Sequence, residues 1–116
     1  MVIAFRGFGR DHIGVLTSRY WHACFVRDAG DPAQAARLMA DVATDLARVL
    51  GPDHARTLAS RHALARLTGE VGNPAEAVRL MALVTADRAR VLGSDHPATQ
   101  ESRRWLAHWQ KRAAAP

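Results

Sequence analysis

Gly51-Pro52-Asp53-His54 restates Gly9-Arg10-Asp11-His12 and returns as Gly93-Ser94-Asp95-His96, a spacing of 42 residues each time. Ser18-Arg19, Ser60-Arg61 and Ser102-Arg103 follow in step. Laid over one another, residues 9–50 and 51–92 agree at 21 of 42 positions, far beyond chance. A fixed period of this length marks a chain built by stacking one supersecondary unit. The sequence divides into a leader or degenerate cap at 1–8, full repeats at 9–50 and 51–92, and a partial third repeat or capping helix at 93–116.

Each repeat reads as two helices. The second opens at Asp31-Pro32-Ala33-Gln34 or Asn73-Pro74-Ala75-Glu76. Asp31 or Asn73 can cap the free amides, and proline sits where its missing donor costs nothing. Gln34 or Glu76 completes a capping box. Ala35, Leu38, Met39 and Val42, and likewise Ala77, Leu80, Met81 and Val84, fall at i, i+3, i+4 and i+7, one apolar stripe per helix. Both helices end in Arg-Val-Leu-Gly, where glycine supplies the left-handed closing residue. The first helices are expected to start at Asp11, Asp53 and Asp95 as N-caps, with Leu64, Leu67 and Val71 turned inward and Ala23, Ala65 and Ala107 allowing close approach. Sustained alternation is absent, which excludes strands. The expected fold is all-α: an α-solenoid of antiparallel helix pairs, about two and a half repeats and five main helices.

The chain has 116 residues, one domain's length, with 48% hydrophobic and 23% charged residues. That is ordinary globular composition. A single cysteine, Cys24, excludes an internal disulfide and a several-cysteine zinc site. Sixteen basic against 11 acidic residues give +5, and all the basic residues but Lys111 are arginine. No apolar run is long enough for a membrane span, and Met1 to Phe5 is too short for a signal-peptide core. The expected location is the cytoplasm, with no membrane partner.

The pattern Leu-Gly-x-Asp-His-x-x-Thr-Leu-Ala-Ser-Arg, from Leu50 to Arg61, resembles the long tetratricopeptide repeat (TPR) of kinesin light chains and many bacterial relatives. Small residues fall where that family has them, at Ala65, Gly72 and Ala77, followed by bulky Met81. The resemblance covers residues 9 to about 112. It implies a protein-interaction scaffold, not an enzyme, with a concave wall made of first helices. Where the family commonly carries two asparagines that hold a peptide backbone, this chain has Tyr20-Trp21, His62-Ala63 and Arg104-Trp105.

Carried onto this sequence, the family's groove positions include Tyr20, Arg27, His62, Arg66, Arg104, His108, Lys111 and Arg112, the expected peptide-binding residues. Cations presented from adjacent helices suit an acidic peptide segment or a free C-terminal carboxylate on a partner protein. Arg66 and Arg104 are the expected anchors. Trp21 with Phe25, and Trp105 with Trp109, form matching aromatic ridges. The first is expected in the core. Trp105, Leu106 and Trp109 lie on a last helix with no following helix to cover them, and are read as a self-association patch for a homodimer.

Six histidines do not add up to a metal site. His12, His54 and His96 recur once per repeat in loops, and His22, His62 and His108 never pair at i, i+4. No metal and no cofactor are expected. Cys24 with His62 is the only nucleophile and base arrangement the register allows, and no orienting group accompanies it. Binding of nucleic acid to the basic face is the alternative reading; acids interspersed through every helix count against it.

Overall fold

A computed structural model describes residues 12–116. Among them lie five α-helices, α1 Ile13–Asp28, α2 Pro32–Leu50, α3 Ala55–Glu70, α4 Pro74–Leu92 and α5 Pro97–Ala114. No strand occurs among the described residues. Each helix packs chiefly on its neighbours in sequence, so two helix pairs and a final helix stack as a solenoid.

The second helices begin as the sequence dictates. Asp31 accepts the Gln34 N–H at 3.1 Å and Asn73 that of Glu76 at 3.2 Å, with Pro32 and Pro74 following. At their far ends Gly51 and Gly93 adopt φ of 98° and 99°, which a side chain would strain. The hydroxyls of Thr57 and Thr99 donate to the carbonyls of these glycines at 2.8 Å, fastening each turn to the next first helix.

The first helices begin one residue later than expected. His54 and His96 are the N-caps, and the Nδ1 of each ring accepts the N–H of Arg56 or Ala98 at 3.1 and 3.0 Å. His12 does the same for Gly14. Asp53 is taken by another task, since both its oxygens pair with Arg90 near the end of α4 at 2.7 and 3.0 Å. Asp11 and the leader lie outside the described residues.

Apolar side chains collect in two cores. Leu16, Ala23, Ala35, Met39, Val42 and Leu46 of α1 and α2 are sealed by Leu67 of α3. Leu58, Ala65, Ala77, Met81 and Val84 of α3 and α4 are sealed by Trp109 of α5. Leu67 and Trp109 occupy one register position, 42 residues apart. The sealing residue comes each time from the next unit, which is why one pair cannot stand alone.

Aromatic placement reverses two expectations. Trp21 and Phe25 are 58% and 73% exposed, not core. Phe25 shares the register of Leu67 and Trp109, and among the described residues no earlier pair receives it. Trp109 is only 4% exposed, while Trp105 and Leu106 are half-buried, so one of the two tryptophans of the expected self-association patch is packed within the chain. The indole folds back onto α3 at Gly69, where a Cβ would stand 2.4 Å from the ring. Val71, expected to point inward, caps α3 and is exposed.

Replacing Gly69 by alanine tests this packing. A helix interior ordinarily gains up to about 1 kcal/mol from that change. Here the clash with Trp109 is expected to outweigh the gain, with a net loss of about 1–2 kcal/mol in denaturant unfolding. In a Trp109→Ala background the same substitution should become stabilising; an unchanged penalty there would show that the indole is not the cause.

Candidate functional site

The 42-residue translation puts Tyr20, His62 and Arg104 at one register of α1, α3 and α5, and Cys24, Arg66 and His108 at the next. Their surroundings differ sharply. Arg104, Lys111 and Arg112 are exposed on α5 and carry no ion pair among the described residues. Arg66 lies over Trp105, its guanidinium carbon 4.1 Å from the ring centre, a cation–π contact that joins α3 to α5. His108 stands edge-on to both Trp105 and Trp109. Arg27 is occupied: its Nε donates to both Glu70 oxygens at 3.0 and 3.1 Å, and Asp28 lies 3.4 Å from Nη1.

His62 is not an open contact. Only 6% exposed, it takes part in a buried network with Arg88 and Ser102. Arg88 Nη1 donates to Ser102 Oγ at 2.9 Å and to the Ala98 carbonyl at 3.0 Å, and the serine hydroxyl is left to donate to His62 Nδ1 at 2.9 Å. Glu101 faces this network from the rim, 3.8 Å from both Arg88 and His62. The network replaces an apolar slot, because Arg88 stands where the first repeat has Leu46, and His62 where it has Tyr20. Burial, reinforced by Arg88 and Arg66, pushes the His62 pKa from 6.5 to about 4. Burial also lowers the Arg88 pKa, against the opposing pull of Glu101.

Serine, histidine and glutamate in line invite a catalytic reading, and burial refutes it. Ser102 has no exposed surface, and Arg88 already donates to its oxygen, so no substrate carbonyl can approach. Cys24 and His62 share no hydrogen bond, and His62 Nδ1 is taken by Ser102. The thiol itself is held above its ordinary pKa by burial and by Asp28. Among the described residues no three His, Cys, Asp or Glu side chains cluster as metal ligands, and no helix is long and apolar enough to cross a membrane.

Two hollows open between first helices. A small one is lined by Cys24, Arg27, Ala63, Arg66, Leu67 and Glu70. The larger, about 340 Å³, lies between α1, α2 and α3 and includes Tyr20, Trp21, Leu46 and Arg56. Sequence reading passed over Arg56 and Arg88. Arg88 was findable: it is a cation set into an otherwise apolar stripe position when the two copies are compared.

A tetratricopeptide repeat family model matches residues 23–56 and 57–98. The chain belongs to the tetratricopeptide repeat family. Solved structures agree with the assignment. A Podosopora anserina protein described as a kinesin light chain with nearly identical TPR-like repeats superimposes with a TM-score of 0.83 at 31% identity, over 93% of this chain and 51% of that one. A single-substitution variant of the same protein gives the same values. This TPR chain thus spans about half the length of those relatives. No curated protein matches it.

The buried histidine makes stability depend on pH with a definite sign. The unfolded chain titrates His62 near 6.5 and the folded chain near 4, so the folded state binds fewer protons in between. Stability is full above pH 6.5 and falls as pH drops toward 4, by about 3 kcal/mol at ~1.36 kcal/mol per unit. Urea midpoints measured at pH 7 and pH 4.5 should show this drop in the wild type and a clearly smaller one in His62→Gln. Equal drops would assign the effect elsewhere.

Proposed function

We propose that this TPR chain is a non-catalytic adaptor that holds an acidic segment or free C-terminal carboxylate of a partner protein against its first helices. The carrying observation is the set of cations at the C-terminal end: Arg104, Lys111 and Arg112 are exposed without ion pairs among the described residues, and Arg66 is held in place over Trp105. Guanidinium groups with free donors take carboxylates in two-pronged fashion. Arg66 and Arg104 anchor the peptide, Lys111 and Arg112 attract it, and Tyr20 and His108 flank it. Arg27 joins only by giving up Glu70. The architecture supports this use, since solenoid repeats offer an extended surface and no enclosed reaction centre.

The charge pattern argues against nucleic acid as the main ligand. Arg19, Arg61, Arg79 and Arg90 are each spent on an acid, and of the exposed cations without one among the described residues, Arg104, Lys111 and Arg112 lie together on α5 while Arg37 and Arg56 stand singly on α2 and α3. Arg104→Glu should weaken binding of an acidic peptide at least tenfold with helicity unchanged, and Arg66→Glu should do the same with some loss of stability from the lost ring contact. Undiminished binding to Arg104→Glu refutes the assignment. Tight binding of mixed-sequence DNA that falls steeply with salt, beside indifference to acidic peptides, would replace it with the nucleic-acid reading.

A further inference from the structure

We propose that the cavity between α1, α2 and α3 is a binding site for a small free carboxylic acid with an aromatic or branched hydrocarbon body. Its volume, about 340 Å³, falls within the roughly 300–1,000 Å³ of small-molecule sites. Leu16, Leu46, Ala59 and the Trp21 ring line it with apolar surface. Thr17, Arg56 and Tyr20 place polar groups among them. Arg56 bonds the Thr17 hydroxyl and meets no carboxylate among the described residues. The hydroxyl of Tyr20, kept protonated by burial, has no hydrogen-bond partner among them. A half-open apolar hollow with one cation at its rim and one free phenol donor suits a monoanion with a hydrocarbon body. It does not suit a polyphosphate, for which a single cation is too little charge.

The second repeat shows why this slot is open. Translated by 42 residues, its lining becomes Leu58, Ala59, His62, Ala63, Arg88, Ala98 and Glu101, the buried network described above. There the chain fills the slot itself: the Arg88 guanidinium occupies the place of the Leu46 side chain, bonds Ser102 and the Ala98 carbonyl, and faces Glu101 across the rim. In the first repeat the floor is aliphatic, and the cation, Arg56, stands where the second has Ala98. The filled slot contains a cation and an acid from the protein. The open one contains a cation alone, and a carboxylate from outside completes the pair while its hydrocarbon body fills the space.

Isothermal titration of the full chain with 3-phenylpropionate, and with 3-phenylpropionamide as the uncharged control, tests the site. Saturable one-to-one binding of the acid is expected, at least tenfold weaker for the amide and for Arg56→Gln. Leu46→Arg, which copies the filler of the second repeat, should abolish binding. Ala59→Leu fills the same space from α3 and serves if Leu46→Arg does not fold. Arg104→Glu, which breaks the proposed peptide anchor, should bind the acid like the wild type. If acid and amide bind equally, if Arg56→Gln keeps full affinity, or if the acid does not saturate the wild type at millimolar concentration, the proposal fails. Loss of acid binding in Arg104→Glu would place the acid on the terminal cations, overturning the cavity site and leaving the peptide reading standing.

Discussion

Close approach of the two helices within each pair is the constraint on which the molecule depends. Ala23 against Ala35, and Ala65 against Ala77, have no exposed surface, so the backbones come near enough for Met39 and Val42, or Met81 and Val84, to fill the space beside them. Packing at interior density leaves no room for a larger residue at those positions. The same alanines leave each pair with one uncovered flank. Leu67 and Trp109 cover it from the following helix, and stability therefore belongs to the stack and not to any one repeat.

Given that rigid repetition, divergence between copies becomes chemistry. Leu46 and Arg88 stand on equivalent turns of equivalent helices, yet one leaves an apolar hollow and the other drives a guanidinium into the interior. The Arg88 guanidinium is only partly satisfied: Nη1 donates to Ser102 and to the Ala98 carbonyl with Glu101 3.8 Å away, while Nε is buried without a hydrogen-bond partner. The cost falls on His62, which must stay neutral beside a permanent charge. Arg88 and His62 thus differ together from their first-repeat counterparts Leu46 and Tyr20, while Ser102 keeps the serine of Ser60.

Most of the arginine content serves the fold and not a ligand. Arg19 with Asp45 and Arg61 with Asp87 are the same ion pair in successive repeats, at 2.8 and 2.7 Å, each tying a first helix to the second helix of its pair. Arg90 adds Asp53 to this second group. These pairs are partly exposed and individually worth little. Their larger effect is to cancel charge over the body of the solenoid, so that the uncompensated cations are concentrated on α5.

Residues alone were enough for the helical class, the 42-residue unit, the proline-led starts of α2 and α4, their glycine ends, and membership of the repeat stack. These are local: capping, backbone freedom and apolar periodicity act within a few residues and are written in sequence order. The histidine caps were missed because two acceptors stood side by side; Asp53 is spent on Arg90, 37 positions away, but His96 caps α5 although Asp95 makes no ion pair among the described residues. Burial of Trp109, exposure of Trp21 and Phe25, and the fate of His62 were likewise decided between helices. Identical register positions face different neighbours in the first, second and third copies of the repeat, so only the tertiary arrangement could determine which aromatic found a Gly69 to lie against and which slot was left unfilled.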